Sequence, residues 1–282
     1  MNVDIICPLY NGAKYIENLH ASLLMQKNVE INSIQYIITN TNDETESIVK
    51  TLDYCTYKVI DPSEFSHSLT RENSAMAENG DIIVFITQDI RIVRDDWLCN
   101  LIEPIENGDA VLCYSRQLCD NNTIEKYTRE SNYPVISHYQ SKEDIPSLGL
   151  KTFFNSDASS AILRKVFVEL NGFDHKKLPT NEDMYMAYKV IMAGYKIKYC
   201  ANSEVIHSHN FNSKDQYNRY YLYGKFFKEN SYLNNYSATK SGGGMAKYVL
   251  KRAIQDKNWK VVLTFIPNMA SRYFGMKAGK RS

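Results

Sequence analysis

The hydrophobic pattern of the chain is clearest in the unbroken apolar run Ile82–Ile86. A run of this length and continuity predicts a strand covered on both faces, as in the middle of a parallel sheet. The run ends at Thr87, Gln88 and Asp89, and ligands of open α/β sheets bind beyond the carboxyl ends of the strands. We therefore expect Asp89 at the mouth of a site, where a carboxylate suits a divalent cation and a diphosphate. A turn cap is the alternative.

Shorter apolar runs alternate with helical patterns through residues 1–115. Strands are predicted at 3–7, 34–39, 57–60, 81–89 and 110–115. Between them, apolar spacing and helix-start residues predict helices after Gly12, at 43–52, before Gly80 and at 97–105. Strands and helices that alternate in this way predict a doubly wound, mostly parallel sheet.

The second half of the chain has a weaker pattern. Polar residues, tyrosines and prolines between 120 and 154 predict a loop-rich segment, either a lid or an acceptor-side insertion. Residues 241–244 predict a flexible joint, followed by helical stretches that mix bases with apolar residues. The other predicted elements are strands at 159–163, 195–199 and 204–208 and helices at 165–170, 181–193 and 215–233.

Charge is distributed unevenly, although the net charge of the 282 residues is only +1. From Lys240 to the end there are ten Lys and Arg residues and one acid, whereas the rest of the chain has 31 acids and 23 bases. A basic tail on an acidic body indicates contact with an anionic surface, either a membrane or nucleic acid. No nucleic-acid-binding motif is present. Bases beside Trp259 and Leu263 suit an anionic membrane interface; a helical cap on the domain is the alternative.

The six cysteines are scattered and form no CxxC pair. This indicates reduced thiols in the cytoplasm rather than a structural zinc site. No apolar run approaches the ~20 residues needed to span a bilayer, and the first residues lack a signal-peptide pattern. We expect a cytoplasmic protein, peripheral at the inner face of the cell membrane.

Two segments near the predicted strand ends suit a nucleotide or its phosphates. Pro8, Tyr10 and Asn11 form a turn after the first strand, where exposed backbone can hold a nucleotide. On a helix, His67 and Arg71 share a face, and Arg71 can contact phosphate with two nitrogens. A capped surface helix is the alternative for the second segment. The GxGxxG motif and the P-loop are absent, which argues against dehydrogenases and P-loop NTPases.

Two further segments offer groups for proton transfer and metal binding. Glu182 and Asp183 are adjacent at a predicted helix start, where the helix dipole alone favours acids, and where one of them can also serve as a general base. His207 and His209 are two residues apart and face the same way on a strand. A metal held by Asp89 can therefore take one of these imidazoles; a plain histidine pair at a strand end is the alternative.

In their order and spacing, these segments resemble the inverting glycosyltransferases of family 2, whose fold is called GT-A. The resemblance runs over most of the chain and is strongest to the bacterial rhamnosyltransferase branch. It implies a Rossmann-like GT-A domain at 1–212, with a nucleotide-binding half at 1–115 and an acceptor-side half at 116–212, and a basic, helical, membrane-associating region at 213–282. The matched segments are 8–11, 65–67, 70–73, 80–81, 85–89, 171–174, 182–183, 194–197, 207–209 and 271–280.

The resemblance also implies roles for individual residues. Asp89 binds Mg²⁺ or Mn²⁺ with help from His207, and Asp183, beside Glu182, is the catalytic base. The chain departs from the family at Thr87, where many relatives have the first aspartate of the metal motif. It also lacks the aspartate that usually ends the second strand and binds the nucleobase. The residues implied in nucleotide-sugar binding are Pro8, Tyr10, Asn11, Thr39, Thr41, Asp43, His67, Arg71, Thr87 and Gln88.

The activity implied by the resemblance is an inverting, metal-dependent transfer of L-rhamnose from dTDP-β-L-rhamnose. The acceptor is a hydroxyl of a lipid-linked saccharide in the assembly of a cell-surface polysaccharide, such as a capsule or cell-wall polymer. A family-2 transferase for a different donor, a UDP-hexose or UDP-N-acetylhexosamine, remains open. So does a non-catalytic partner that only binds a nucleotide sugar, although the intact Asp89, Asp183 and His207 set argues against it.

Overall fold

The computed structural model describes residues 1–236 and 239–282, which contain an eight-stranded sheet. The order across the sheet is β3-β2-β1-β4-β7-β5-β8-β6. Neighbours among β3, β2, β1 and β4 are parallel, β5 pairs with β8 in parallel, and β7 and β6 run antiparallel to their neighbours. This confirms the mostly parallel sheet expected from the pattern. The strands are β1 (Asn2–Leu9), β2 (Glu30–Thr39), β3 (Thr56–Ile60), β4 (Ile82–Ile86), β5 (Leu112–Leu118), β6 (His138–Gln140), β7 (Ser159–Leu163) and β8 (Ile197–Ile206).

Helices connect the strands and continue beyond the sheet. In the first half of the chain, α1 to α4 lie where the apolar spacing predicts helices. Short 3₁₀ turns occur at Lys142–Asp144, Gly149–Phe153 and Ser231–Asn235. The α-helices are α1 (Ala13–Leu24), α2 (Thr45–Val49), α3 (His67–Ala77), α4 (Trp97–Glu106), α5 (Ile124–Asn132), α6 (Ile145–Leu148), α7 (Arg164–Glu169), α8 (Glu182–Met192), α9 (Ser213–Glu229), α10 (Thr239–Gln255) and α11 (Trp259–Arg281).

Each face of the sheet is covered by its own hydrophobic core. In β4, Ile82, Val84 and Ile86 belong to the core that includes α1 and α4. Ile83 and Phe85 belong to the opposite core, with α3, α7 and α8. All five side chains are at most 2% exposed. Because successive strand residues point to opposite faces, burial on both faces requires an unbroken apolar run.

The structure corrects three predictions for the second half of the chain. The segment 120–154 is not loop-rich throughout, since it contains α5 and the edge strand β6. The two predicted strands at 195–199 and 204–208 are replaced by one strand, β8, which spans Ile197–Ile206 and whose pairing with β5 shifts register between Ser115 and Arg116. Residues 241–244 lie inside α10 rather than in a joint. The pairing of β8 with β5 and β6 thus overrides the local pattern at 195–208.

At the edge where the parallel strands begin, buried Asp4 is fully hydrogen-bonded. Its Oδ2 accepts hydrogen bonds from Gly80 N and Arg164 Nη2, both at 2.6 Å. Its Oδ1 accepts from Asn32 Nδ2 at 2.7 Å and from Ser33 Oγ at 2.9 Å. A Cβ at Gly80 would lie 2.7 Å from Asp4 Oδ2, so only glycine fits. This network ties β1 and β2 to the segments that flank β4 and β7.

The C-terminal helices pack against the rest of the chain. Phe226 of α9 belongs to one of the two sheet cores, and α10 and α11 form a smaller core with Tyr127 of α5. The start of α9, capped by Asn212, coincides with the predicted boundary between residues 212 and 213, and the division into two regions stays a prediction. In the described part of the chain, no helix combines the length and apolar character required to cross a membrane.

Candidate active site

The turns that follow β1 and β4 are joined by the side chain of Gln88. Its amide accepts a hydrogen bond from Tyr10 N and donates one to Tyr10 O, both at 2.8 Å. Asn11, between them and Gly12, has a φ of 49°, in the left-handed region that asparagine tolerates. The predicted turn at 8–11 therefore lies against the predicted metal motif at 87–89. Direct contact of Gln88 with a nucleotide stays a prediction.

Asp43 shapes the next turn along this edge. Its Oδ1 accepts from Thr41 Oγ1 and its Oδ2 from Thr45 Oγ1, both at 2.6 Å. Burial disfavours the charge of Asp43, but these hydrogen bonds outweigh burial and lower its pKa. Thr39, at the end of β2, is buried, and its hydroxyl has no hydrogen-bond partner among the described residues. That hydroxyl therefore has an unmade hydrogen bond at the end of β2.

Asp89 meets two histidines that follow β8. His207 Nε2 lies 3.4 Å from Asp89 Oδ1, and His209 Nδ1 lies 3.5 Å from Asp89 Oδ2. The three ligand atoms all lie within 4.8 Å of one another. One carboxylate and two imidazoles fit Mn²⁺ better than Mg²⁺, which prefers oxygen ligands. The residues present therefore fit a divalent metal.

Buried Gln117 sets the orientation of His207. Its Oε1 lies 2.9 Å from His207 Nδ1, and its Nε2 donates to Ser156 Oγ at 2.7 Å. Because an amide oxygen only accepts, His207 carries its proton on Nδ1 and presents the lone pair of Nε2 on the Asp89 side. Contacts of this kind fix the tautomer and ring orientation of metal-binding histidines.

The protonation states of the cluster also suit a metal. Burial lowers the pKa of His207, and burial together with His207 lowers the pKa of His209 to about 4. Burial alone would raise the pKa of Asp89, but the contacts with both histidines outweigh it and lower that pKa. Neutral imidazoles and an ionised carboxylate are the forms that bind metals.

Asp183 lies in the first turn of α8, at the wall of a cavity of about 290 Å³. His207, which contacts Asp89, lines the same cavity, whereas Asp89 itself lines a neighbouring pocket. Burial, followed by the neighbouring carboxylates of Glu182 and Asp157, raises the pKa of Asp183 well above its ordinary value. His207 thus links Asp183 to the Asp89 cluster, and a single site that includes both acids stays a prediction.

The carboxylate of Glu182 is held by Arg71. Arg71 Nη1 lies 3.2 Å from Glu182 Oε1 and donates to the main-chain oxygen of His67 at 3.0 Å. Both charged side chains are buried, whereas the imidazole of His67 is half exposed. Arg71 Nε has no hydrogen-bond partner in the described structure, so the guanidinium keeps a donor for a ligand.

A further acid at this edge, Asp157, escaped prediction. Asp157 is 4% exposed, and its Oδ1 accepts from Ser160 Oγ at 2.7 Å. Its Oδ2 has no partner among residues 1–236 and 239–282. Burial raises the pKa of Asp157 to about 6, opposed by Arg71 and reinforced by Glu182. Because β7 runs antiparallel to β4, the start of β7 lies where β4 ends, and no local pattern predicts that placement.

Two residues in or beside the metal cluster were not among the metal ligands predicted from the sequence. His209 joins Asp89 and His207, and the signal for it was its two-residue spacing from His207. No sequence pattern pointed to Gln117, because its contact with His207 depends on the parallel pairing of β5 with β8. A polar residue inside a strand is otherwise unremarkable in a sequence.

Comparison with known proteins relates the whole chain to sugar-transferring enzymes. The family model "Glycosyl transferase family 2" matches residues 4–170. The O-antigen chain rhamnosyltransferase RfbN of Salmonella typhimurium is 31% identical over 286 residues, which cover 99% of this chain and 90% of the relative. The O-antigen chain rhamnosyltransferase WbaN of Salmonella anatum is 33% identical over 284 residues, with 98% and 88% covered.

A solved structure supports the fold independently. The mannosyltransferase PcManGT of Pyrobaculum calidifontis, in complex with GDP-Man and Mn²⁺, superposes with a TM-score of 0.64 at 14% identity. The match covers 99% of this chain and 86% of that one. At this level of identity the likeness shows the fold alone, and it confirms the architecture expected from the sequence.

Proposed function

Because the chain belongs to glycosyl transferase family 2 and has its GT-A fold, we propose that it transfers L-rhamnose with inversion from dTDP-β-L-rhamnose. The acceptor is a hydroxyl of a lipid-linked saccharide in cell-surface polysaccharide biosynthesis. The observation that carries the proposal is that His207, which contacts Asp89 in the cluster with His209, lines the same cavity as Asp183. Rhamnose is favoured because two relatives named as O-antigen chain rhamnosyltransferases align with almost the whole chain.

In this proposal Asp183 is the general base. Its carboxylate takes the proton of the acceptor hydroxyl while that oxygen bonds to the anomeric carbon, and the bond from the anomeric carbon to the diphosphate breaks. Attack opposite the leaving group converts the β-linked donor sugar into an α-rhamnoside. The raised pKa of Asp183 suits this role, because a stronger base accepts the proton more readily. Glu182, paired with Arg71, keeps negative charge beside Asp183 and positions the start of α8.

Asp89, His207 and His209 would hold a divalent cation, and two nitrogen ligands favour Mn²⁺ over Mg²⁺. When bound, the cation stabilises the negative charge that develops on the leaving diphosphate. Gln117 keeps His207 in the tautomer that leaves Nε2 free to coordinate. In this proposal His209 compensates for Thr87, which stands where many relatives have an acid.

The donor would lie across the turns after β1, β2 and β4. Several buried groups have no hydrogen-bond partner among the described residues. They include the hydroxyl of Thr39, at the end of β2, and Nε of Arg71, on α3. A hydroxyl suits the nucleobase or ribose, and a guanidinium suits a phosphate. The residues proposed to bind the nucleotide sugar are Pro8, Tyr10, Asn11, Thr39, Thr41, Asp43, His67, Arg71, Thr87 and Gln88.

We also propose that α11 rests on an anionic membrane surface. Trp259, Leu263 and Ile266 are 60%, 79% and 76% exposed, and Tyr273 and Phe274 continue the same face. At about 100° per residue, these five positions occupy roughly one third of the helix circumference. We call them the apolar face of α11.

The buried face of α11 is the more polar one, with Asn268, Arg272 and two glycines. Exposed apolar area of this extent marks an interaction surface in soluble proteins. Lys260 and Lys277, both exposed, accompany it, and bases beside aromatic and aliphatic side chains fit anionic lipid. Flotation with phosphatidylglycerol vesicles tests the assignment. We expect Leu263→Glu to abolish binding, and binding by that variant at the wild-type level would refute it.

Release of nucleoside diphosphate from a panel of donors tests the transferase proposal. The purified protein is incubated with dTDP-rhamnose, UDP-glucose, UDP-N-acetylglucosamine or GDP-mannose, each with Mn²⁺, Mg²⁺ or EDTA. We expect release from dTDP-rhamnose with Mn²⁺ and no release in EDTA. Release from a different donor alone would replace rhamnose with that sugar. Binding without release, even when a membrane extract supplies acceptors, would identify a non-catalytic binding protein.

A further inference from the structure

The cavity at Asp183 extends to a wall formed by α5, α9 and α11. Tyr133 and Tyr220 line this wall together with Arg219 and Arg272. The lining residues in the described structure include none from the turns after β1, β2 and β4, where the donor is proposed to bind. This wall therefore lies on the acceptor side of Asp183.

Three glycines bring α11 close enough to α9 to place Arg272 in the wall. A Cβ at Gly275 or Gly279 would collide with main-chain oxygens of α9, and a Cβ at Gly224 would collide with the main chain of α11. The two helix backbones are thus in direct contact. Arg272 lies on the same buried face of α11 as Gly275 and is only 8% exposed.

Arg272 is buried, and its side-chain contacts in the described structure are with the aromatic residue Tyr220 rather than with an acid. Its Nη1 lies 3.4 Å from Tyr220 Oη, and its Cζ lies 5.4 Å from the centre of the Tyr220 ring. Its Nε has no hydrogen-bond partner in the described part of the chain. A buried charged donor is costly to leave unbonded. The site is complete only when an anionic acceptor of hydrogen bonds enters the cavity.

The rest of the cavity adds positive charge. Arg219 Nε donates to Tyr223 Oη at 2.9 Å, so its remaining nitrogens stay available. Arg129 is paired with Glu125 at 2.8 Å. Three arginines face two carboxylates in this cavity, those of Glu125 and Asp183. The cavity therefore favours an anion over a neutral saccharide.

We propose that Arg272, with Arg219, binds the phosphate or diphosphate that joins the acceptor saccharide to its lipid. The inference rests on the proposed transferase function and specifies the chemistry of its acceptor. The planar fork of arginine matches phosphate oxygens, which explains why arginine suits this position. The two sides of α11 then serve one substrate, because the apolar face meets the bilayer while Arg272 meets the phosphate at its surface.

Calorimetric titration of the full-length protein with farnesyl diphosphate tests the site directly. EDTA is present and nucleotide is omitted, so that a metal-held diphosphate does not contribute. We expect the wild-type protein to bind farnesyl diphosphate and not farnesol. Arg272→Gln should weaken binding about tenfold or more, and Arg272→Lys by less, since charge remains but the fork is lost. Arg94→Gln is the matched control, because Arg94 is exposed and pairs with Asp96 outside the cavity.

Three results would overturn the proposal. The first is equal affinity of the wild type and a normally folded Arg272→Gln variant. The second is equal binding of farnesol, which would leave only the lipid tail as ligand. The third is binding that requires Mn²⁺ and is displaced by dTDP, which would assign the anion to the donor. Should Arg272→Gln fail to fold, Arg219→Gln at an exposed position takes its place, with several-fold weaker binding expected. No sugar transfer enters this measurement, so retained binding without transferase activity would refute the proposed function alone.

Discussion

The two edges of the central sheet use buried aspartates in opposite ways. At the edge where the parallel strands begin, both oxygens of Asp4 accept two hydrogen bonds each, one of them from the partly buried cation Arg164. At the edge where these strands end, Asp157 has an oxygen without a partner in the described structure. Asp183, at the same edge, has a pKa raised by burial and by other carboxylates.

The difference separates residues that stabilise the fold from residues kept ready for a ligand or a proton. A buried charge with all its hydrogen bonds made holds the surrounding segments in place. A buried charge with bonds left unmade reduces stability, and such groups cluster at functional sites. Gly80 shows how completely the first edge is filled, since no Cβ fits beside Asp4. The predictions below test this contrast between the two edges.

The largest effect is expected from Asp183→Asn. Transfer should fall by about 10²–10⁴, because the acceptor hydroxyl loses its general base. The free energy of unfolding should rise at pH 8, since asparagine avoids the cost of ionising a buried acid with a raised pKa. Diphosphate release and urea unfolding measure the two changes. Asp95→Asn, at an exposed surface pair with Lys27, is the control. Near-normal turnover by Asp183→Asn would remove Asp183 from the chemistry.

Asp4→Asn should have the opposite profile. The variant removes the counter-charge of Arg164 from a pair whose acid is fully buried, which costs about 3–5 kcal/mol of unfolding free energy. Activity per folded molecule should stay at the wild-type level, because Asp4 lies at the far edge of the sheet. Urea unfolding and an activity assay on the folded fraction measure both quantities. A variant as stable as wild type would contradict the role assigned to this network.

Gln117→Leu should weaken Mn²⁺ binding about 10–100-fold. Without the amide oxygen at 2.9 Å, the Nδ1 proton of His207 is no longer fixed, and Nε2 is less available to the metal. Titration of the apoprotein with Mn²⁺, followed by electron paramagnetic resonance, measures the affinity. Gln255→Leu, at an exposed position of α10, is the control. Unchanged affinity in Gln117→Leu would show that the tautomer of His207 is set by other contacts.

The smallest effect is the pH dependence of stability due to Asp157. Its pKa of about 6 in the folded state exceeds the ordinary value of 3.8, so folding favours the protonated form. This contribution is fully present below pH 3.8 and is lost as the pH rises through 6. Relative to Asp157→Asn, the wild type should therefore lose roughly 2 kcal/mol of unfolding free energy between pH 4 and 7. Parallel stability curves for the two proteins would mean that Arg71 offsets both burial and Glu182.

The placement of the acids shows which parts of the candidate site could be predicted from the sequence. The order of Asp89, Glu182-Asp183 and His207 along the chain was enough to propose one site, and in the structure His207 contacts Asp89 and lines the cavity of Asp183. Asp157 could not be predicted from the sequence, because its position depends on the antiparallel pairing of β7 with β4. Arg272 was matched to a family segment without a role, since its position depends on the contact of α11 with α9. Membership of family 2 and the GT-A fold are confirmed.

By itself the sequence determined the elements whose burial leaves a periodic or continuous apolar signal. β4 is the clearest case, since its burial on both faces requires five apolar residues in a row. Only the tertiary structure decided which buried polar groups have hydrogen-bond partners and which do not. A hydrogen bond or its absence joins residues far apart in the chain, as between Asp4 and Arg164, and local patterns carry no record of such pairs.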